Sequence, residues 1–333
     1  MNKSFGEFEL IRRLTKGRGI ERDDVLKSVG DDAAVIEETD RCLLFTCDAQ
    51  VAGVHFLMER IPPFTLGQRI AAVNLSDIAA MGGQPLWALC SLLLDKKVAT
   101  AFYEAVYEGL YDELNRFRVQ LIGGNTARSG AGVIADLFVA GEAKKDGVLF
   151  RSGARVGDVV CVTGTLGASA AGLHILMNAK DGISAHPKLV ERHFRPTPRV
   201  AEGQALAASG VVTACMDISD GLLQDASHIA VASDVQIVID ETLVPVSVEL
   251  QQFAHALGLD GVVMALTGGE DYELMFTTSE SDVRQLMQDV WNATGTAVTV
   301  VGRVVAADDA QKRVITASGR YWNLEKMGFD HLD

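Results

Sequence analysis

TLGQRIAAVNLSDIAAMGG, residues Thr65–Gly83, reads as one helix and sets the frame for the rest of the chain. Thr65 with Gln68 three residues on has the form of a capping box, and Gly82-Gly83 that of a helix stop. Leu66, Ile70, Val73, Asp77 and Met81 recur at helical spacing, so one face carries four apolar residues and one carboxylate. An ionised carboxylate on a buried face costs free energy unless it is paired or bound to a cation. Asp77 is therefore either satisfied by a neighbouring helix N-terminus or an arginine, or it is a metal ligand. Asn74 lies one turn earlier on the same helix.

Upstream, RCLLFTCDAQVAGVHF (41–56) places a buried-type strand at Leu43–Thr46. Thr46, Cys47 and Asp48 then fall at its carboxyl end, where α/β folds bind ligands, and His55 falls on the following connection. SVGDDAAVIEE (28–38) sets Asp31 and Asp32 side by side after a Gly30 turn, with a strand at AAVI. Such a pair is either solvated or shares a cation. Residues 5–17 read as a short amphipathic helix. Downstream come a buried strand, WALCSLLLD (87–95), and an amphipathic helix over 99–117. RVQLIGGNTARSG (118–130) reads as a strand followed by Gly-Gly and Asn125, and 132–143 as a further strand. Residues 1–149 thus form one α/β unit.

Residues 150–333 form a second unit, opening on the turn-rich RSGARVGD. VVCVTG is a strand, and Gly164 and Gly167 lead into a helix. There is no GKS or GKT and no GxGxxG spacing, so this is neither a P-loop nor a dinucleotide fingerprint. The Gly-rich turn either packs closely or offers a phosphate site at the helix N-terminus. RHFRPTPRV (192–200), with three arginines, reads as a surface connector. In VVTACMDISDGL a strand ends at Met216, with Asp217 at its tip. Ser219 is placed to cap the next helix, and Asp220 to lie in its first turn. ALTGGEDYELMF (265–276) reads as a strand, a Gly-Gly turn with Glu270 and Asp271, and a strand, and AVTVVGRVV closes the sheet.

With 333 residues, 48% of them hydrophobic, the chain can bury the cores of two ordinary domains. No apolar run reaches the roughly 18 residues of a membrane span, and MNKSFGEFELIRR has no signal-peptide core. The five cysteines are scattered and odd in number, which fits free thiols in a reducing cytosol. A formal net charge of −14 with no basic tract argues against a nucleic-acid surface. An acidic protein that binds phosphates needs cations to bridge them. Asp31, Asp32, Asp48, Asp77, Asp217 and Asp220 supply oxygen ligands of the type that suits Mg²⁺. Several Mg²⁺ ions held by carboxylates are what a phosphoryl-transfer site requires.

The series VGDDAAV, TCDAQVAGVHF, AAVNLSDIAAMGG, LIGGNTARSG, MDISDGL, TGGEDYEL and GFDH resembles the motif series of the thiamine-monophosphate kinases. The resemblance runs from GEFELI (6–11) to His331. That family belongs with aminoimidazole ribonucleotide synthetase, selenophosphate synthetase and a hydrogenase maturation protein. The resemblance implies an α/β (α+β) fold of two domains, residues 1–149 and 150–333, in a homodimer formed by paired N-terminal sheets. It implies ATP and thiamine monophosphate as substrates and several Mg²⁺ ions as cofactors. Asp32, Thr46, Cys47, Asp48, Asp77, Asp217 and Asp220 would surround the metals, with Cys47 supplying a backbone oxygen where the family usually has threonine. Gly124, Asn125, Arg151 and Ser219 would touch ATP, while His55, Glu270 and Phe329 would touch thiamine monophosphate. Asp77, Asp48 and Arg151 would be the catalytic set. One departure stands out. The family's GGDTTR turn carries a metal-binding aspartate, and this chain has Asn125. The rival readings are an amidine-forming cyclo-ligase and a non-catalytic protein that binds nucleotide or thiamine phosphate.

Overall fold

The computed structural model describes residues 7–17, 21–178, 182–307 and 313–318. Phe329 and the GFDH motif lie outside the described residues. The first half contains α1 (Glu7–Thr15), β1 (Val25–Lys27), β2 (Ala34–Glu37), β3 (Arg41–Val51), α2 (Pro63–Ala80), β4 (Gln84–Leu94), α3 (Thr100–Arg116), β5 (Gln120–Arg128) and β6 (Ile134–Lys144). Its six strands form one sheet in the order β1-β2-β3-β6-β4-β5, antiparallel except for the β4–β5 pair.

The second half contains β7 (Val159–Thr163), α4 (Ala168–Asn178), α5 (Gly182–Ala185), α6 (Pro187–Phe194), α7 (Val200–Ser209), β8 (Val212–Asp217), α8 (Leu222–Ala232), β9 (Gln236–Ile239), α9 (Val248–Leu257), α10 (Gly261–Thr267), β10 (Leu274–Thr278), α11 (Val283–Thr294), β11 (Val298–Val305) and β12 (Val314–Thr316). A second six-stranded sheet has the order β12-β9-β11-β7-β10-β8, with only β12–β9 parallel.

Helix α2 is the central element. Nearly every residue from Leu66 to Ala80 is buried, the pattern of a helix packed on all sides. It lies against β3, β4 and β6, against α3, and against α7 and β8 of the second half. Gly67 and Gly109 make the close crossing with α3 possible. A Cβ at Gly67 would lie 1.9 Å from the Val106 carbonyl oxygen, and one at Gly109 would lie 1.7 Å from that of Phe64. The helix starts at Pro63, two residues ahead of the expected start, because proline's fixed φ suits the first helical position. No capping box forms at Thr65. Gln68 Nε2 donates instead to Asp112 Oδ2 on α3, 2.8 Å away. The stop is as read, with Gly82 at φ +72°.

Three further differences share one cause, tertiary pairing that local propensity does not report. Thr46, Cys47 and Asp48 lie in the middle of an antiparallel strand that runs on to Val51, not at its carboxyl end. Residues 265–267 complete helix α10 and do not form a strand. Residues 192–200 are internal. Arg192 and Arg199 both donate to the buried Glu273, at 2.6–2.8 Å, and Arg195 reaches Glu113 on α3 at 3.5 Å. Among the described residues, no helix is long and apolar enough to cross a membrane.

Candidate active site

A cavity of about 830 Å³ lies between the two sheets beside α2. Asp32, Thr46, Cys47, Asp48, His55, Asp77, Arg151, Asp217, Ser219, Asp220 and Glu270 all line it. Residues up to 238 positions apart in sequence therefore meet in one place. Each is held by a specific neighbour.

Helix α2 holds three of them. Asn74 Oδ1 accepts the backbone N–H of Asp48 at 2.9 Å, which fixes β3 against the helix. Ser76 Oγ donates to Asp217 Oδ2 at 2.5 Å. Thr46 Oγ1 donates to Asp77 Oδ2. The Asp31-Asp32 pair divides its work. Asp31 Oδ1 accepts the backbone N–H of Arg151 at 3.1 Å, while Asp32 Oδ1 accepts from the Arg151 guanidinium at 2.6 Å. His55 Nδ1 accepts from the backbone N–H of Val51 at 3.0 Å, which leaves the neutral ring's proton on Nε2.

Ligand oxygens of Asp32, Asp77 and Asp217 all lie within 4.8 Å of one another. Like charges pressed together and removed from water resist ionisation. Burial, followed by Asp48, Asp217 and Asp32, raises the Asp77 carboxyl well above its ordinary range. Burial and then Asp32 push Asp217 up to about 8. The second oxygen of Asp32 is buried and has no hydrogen-bond partner. Burial works against the charge of Arg151, but the Asp32 carboxylate more than offsets it and keeps the guanidinium a cation. Cys47 donates its thiol to Asp136 Oδ1 at 3.0 Å. Burial and then Asp136 push that thiol up to about 12.

Ser219 lines the cavity but caps no helix. The turn before α8 is held by Asp225, whose Oδ2 accepts the backbone N–H groups of Asp220 and Gly221 at 3.1 and 3.0 Å. Asp271 occupies the N-terminus of α4, accepting from Gly167 and Ser169 N–H at 2.6 and 3.2 Å. That Gly-rich turn is thus filled by the protein's own carboxylate and is not open to a phosphate. Gly124 and Asn125 do not line this cavity. They lie within β5, the exposed edge strand, with Asn125 opposite Ser91. A Cβ on Gly124 would meet the Cys90 carbonyl oxygen at 1.9 Å, so the edge strand can lie this close only with glycine there. Asn74, Ser76 and Arg69 do structural work at the site that the sequence reading does not assign. Only Asn74 carried a signal, its place one turn before Asp77.

Two family models match the chain. The N-terminal domain of AIR synthase related proteins covers residues 30–143 and the C-terminal domain covers residues 155–315. The fold is therefore that of the AIR synthase related class. The thiamine-monophosphate kinase of Escherichia coli K12 is 39% identical over 330 residues, 98% of each chain. A solved structure described as AaThiL complexed with AMPPCP and TMP is 34% identical, with a TM-score of 0.83 over 98% of this chain and 97% of that one. The thiamine monophosphate kinase of Aquifex aeolicus is 33% identical, with a TM-score of 0.80 over 97% and 99%. The chain belongs to the thiamine-monophosphate kinase family.

Proposed function

We propose that the chain transfers the γ-phosphoryl group of ATP to the phosphate of thiamine monophosphate, giving thiamine diphosphate and ADP, with Mg²⁺ bound at the acidic cluster. One observation carries this reading: Asp32, Asp77 and Asp217 converge within 4.8 Å at a cleft shared by both domains, and Arg151, paired with one Asp32 oxygen, leaves the other buried Asp32 oxygen without a partner. The donor set fits Mg²⁺, being all oxygen with one buried Asp32 oxygen unpartnered. Asp32, Asp48, Asp77, Asp217 and Asp220, with Thr46 and the Cys47 backbone, would hold the ions. Bound Mg²⁺ supplies positive charge that offsets the charge of two phosphate substrates and aligns them.

The chain's own residues do the rest. Arg151, held by Asp32, presents a fixed cation to charge that develops on the transferring group. The acceptor is already an anion, so no strong general base is needed. Direct in-line transfer follows, with no phosphoenzyme. Ser219 and Arg151 are the proposed ATP contacts within the cleft. Gly124 and Asn125, proposed from the resemblance, lie on the edge strand outside it. His55, Glu270 and Phe329 are the proposed thiamine contacts.

The first sheet supports a homodimer. Its face away from α2 carries Leu43, Phe45, Trp87, Leu89 and Phe138, and Trp87 and Leu89 are each 38% exposed. Apolar surface of this extent on a sheet is best covered by a second copy. We set the domain boundary at 149/150. Leu149 N–H binds the Met81 carbonyl of the first half, and the Phe150 carbonyl accepts Cys215 N–H of the second. The five free cysteines favour a cytoplasmic location. The cyclo-ligase reading is not favoured, because the full-length relatives at 34–39% identity are thiamine-monophosphate kinases. Chromatographic detection of thiamine diphosphate from ATP, Mg²⁺ and thiamine monophosphate tests the proposal. ATP consumption without that product contradicts it.

A further inference from the structure

Arg69 lies on α2, eight residues before Asp77, and is only 1% exposed. A buried guanidinium is tolerable only when its donors are used. Here Nε donates to Gln50 Oε1 at 3.0 Å, Nη1 to the His193 carbonyl and Nη2 to Glu270 Oε1. The other Glu270 oxygen lies 3.4 Å from His193 Nδ1. Burial holds His193 down to about 4, so its ring stays neutral and Arg69 is, among the described residues, the one cation on this carboxylate.

Glu270 itself sits in the left-handed region, at φ +65°. A non-glycine residue there is strained and persists only where its surroundings hold it. Two contacts do so: the Arg69 pair, and the Glu270 N–H bonded to the Ser219 carbonyl at 2.7 Å. Glu270 and His55 both line the cavity. Arg69 falls in the part matched by the N-terminal family model, whereas Glu270 and His193 fall in the C-terminal part. The contact therefore spans the cleft. Eight residues of helical rise separate Arg69 from Asp77 by about 12 Å along one rigid axis. The same helix thus fixes the acidic cluster at one end and Glu270 at the other.

We infer that Arg69 is a positioning residue for the acceptor substrate: through Glu270 it fixes the wall that receives the part of thiamine monophosphate away from its phosphate. The inference rests on the transfer reaction proposed above. Arg69 acts through Glu270 and not on the phosphates. Its loss therefore moves acceptor affinity and leaves nucleotide affinity alone. Losing this charge-assisted hydrogen bond is expected to change acceptor affinity about tenfold or more.

The test is steady-state kinetics of the full chain as wild type, Arg69→Met, Arg69→Lys and Glu270→Gln, with each substrate varied in turn. Arg69→Met is expected to raise KM for thiamine monophosphate about tenfold or more while KM for ATP stays within about twofold. Arg69→Lys keeps the charge without the fork and gives a smaller rise in the same direction. Glu270→Gln raises the same KM. If Arg69→Met does not fold, Arg69→Lys and Glu270→Gln carry the test on their own. An unchanged acceptor KM in either one, or equal shifts in both KM values, overturns the inference. A wild-type protein that turns over no thiamine monophosphate overturns the underlying reaction instead, before any variant is compared.

Discussion

Replacing Asp77 with asparagine should stabilise the metal-free protein while impairing its use of Mg²⁺. Asp77, Asp32 and Asp217 have ligand oxygens within 4.8 Å of one another. Two unit charges at that distance repel by about 3 kcal/mol at an effective dielectric constant of about 20. The raised proton affinities of Asp77 and Asp217 mean that the cluster already avoids part of this cost by holding protons. The gain from neutralising Asp77 is therefore smaller, about 1–2 kcal/mol at neutral pH. Asparagine is nearly isosteric and its carbonyl can still accept from Thr46, so little packing is lost. The assay is thermal unfolding with EDTA and again with millimolar Mg²⁺. Wild type should gain melting temperature with Mg²⁺, through the linkage of binding to stability. Asp77→Asn should melt higher than wild type in EDTA, gain little from Mg²⁺, and turn over at least about a hundredfold more slowly. A variant that melts lower in EDTA, or gains as much from Mg²⁺ as wild type, would refute the reasoning.

Four more outcomes follow from the same geometry. The Asp217 carboxyl is pushed up from 3.8 to about 8, so the folded state binds its proton more tightly than the unfolded state. Its contribution is full below pH 3.8 and lost as pH rises to about 8. His193 and His228, held down to about 4 from 6.5, pull the other way, losing stability as pH falls through that window. The difference between wild type and Asp217→Asn in EDTA isolates the carboxylate; a flat difference across that range contradicts it. Cys47 is exposed, but its thiol is pushed up to about 12, so alkylation at pH 8 should be slow; rapid labelling of Cys47 by iodoacetamide contradicts this. Asn125→Asp restores a charge on β5 and should lower the Mg²⁺ concentration for half-maximal turnover; an unchanged requirement counts against a metal role there. Gly67→Ala drives a methyl to 1.9 Å from the Val106 carbonyl and should cost about 3 kcal/mol in denaturant unfolding; near-wild-type stability contradicts the tight α2–α3 crossing.

Much of the framework was legible because it is written in local patterns. The 3.6-residue period of Leu66, Ile70, Val73 and Met81 marked α2, and runs such as WALCSLLLD marked strands. Local pattern fails where distant parts pair. Nothing near Thr46 says that its strand continues to Val51, since β6 supplies that pairing from some ninety residues away. The three arginines of residues 192–200 look like surface charge until Glu273 and Glu113 arrive from other elements. The same limit applies at the site. Each aspartate could be singled out by its turn or its helix face, but the partners that hold them, Ser76 on Asp217 and Arg151 on Asp32, lie more than a hundred residues off. Glu270 was legible as a residue in a Gly-Gly turn. Its left-handed backbone and its buried arginine were not.

The most direct test of the central claim follows one phosphorus atom. ATP labelled in its γ-phosphate is incubated with the protein, Mg²⁺ and thiamine monophosphate, and the products are separated. The account predicts that the label appears in thiamine diphosphate, one for each ADP formed, that both products vanish with EDTA, and that both form at least about a hundredfold more slowly in Asp77→Asn. Label released as free phosphate, or thiamine diphosphate formed undiminished in the presence of EDTA, would contradict it.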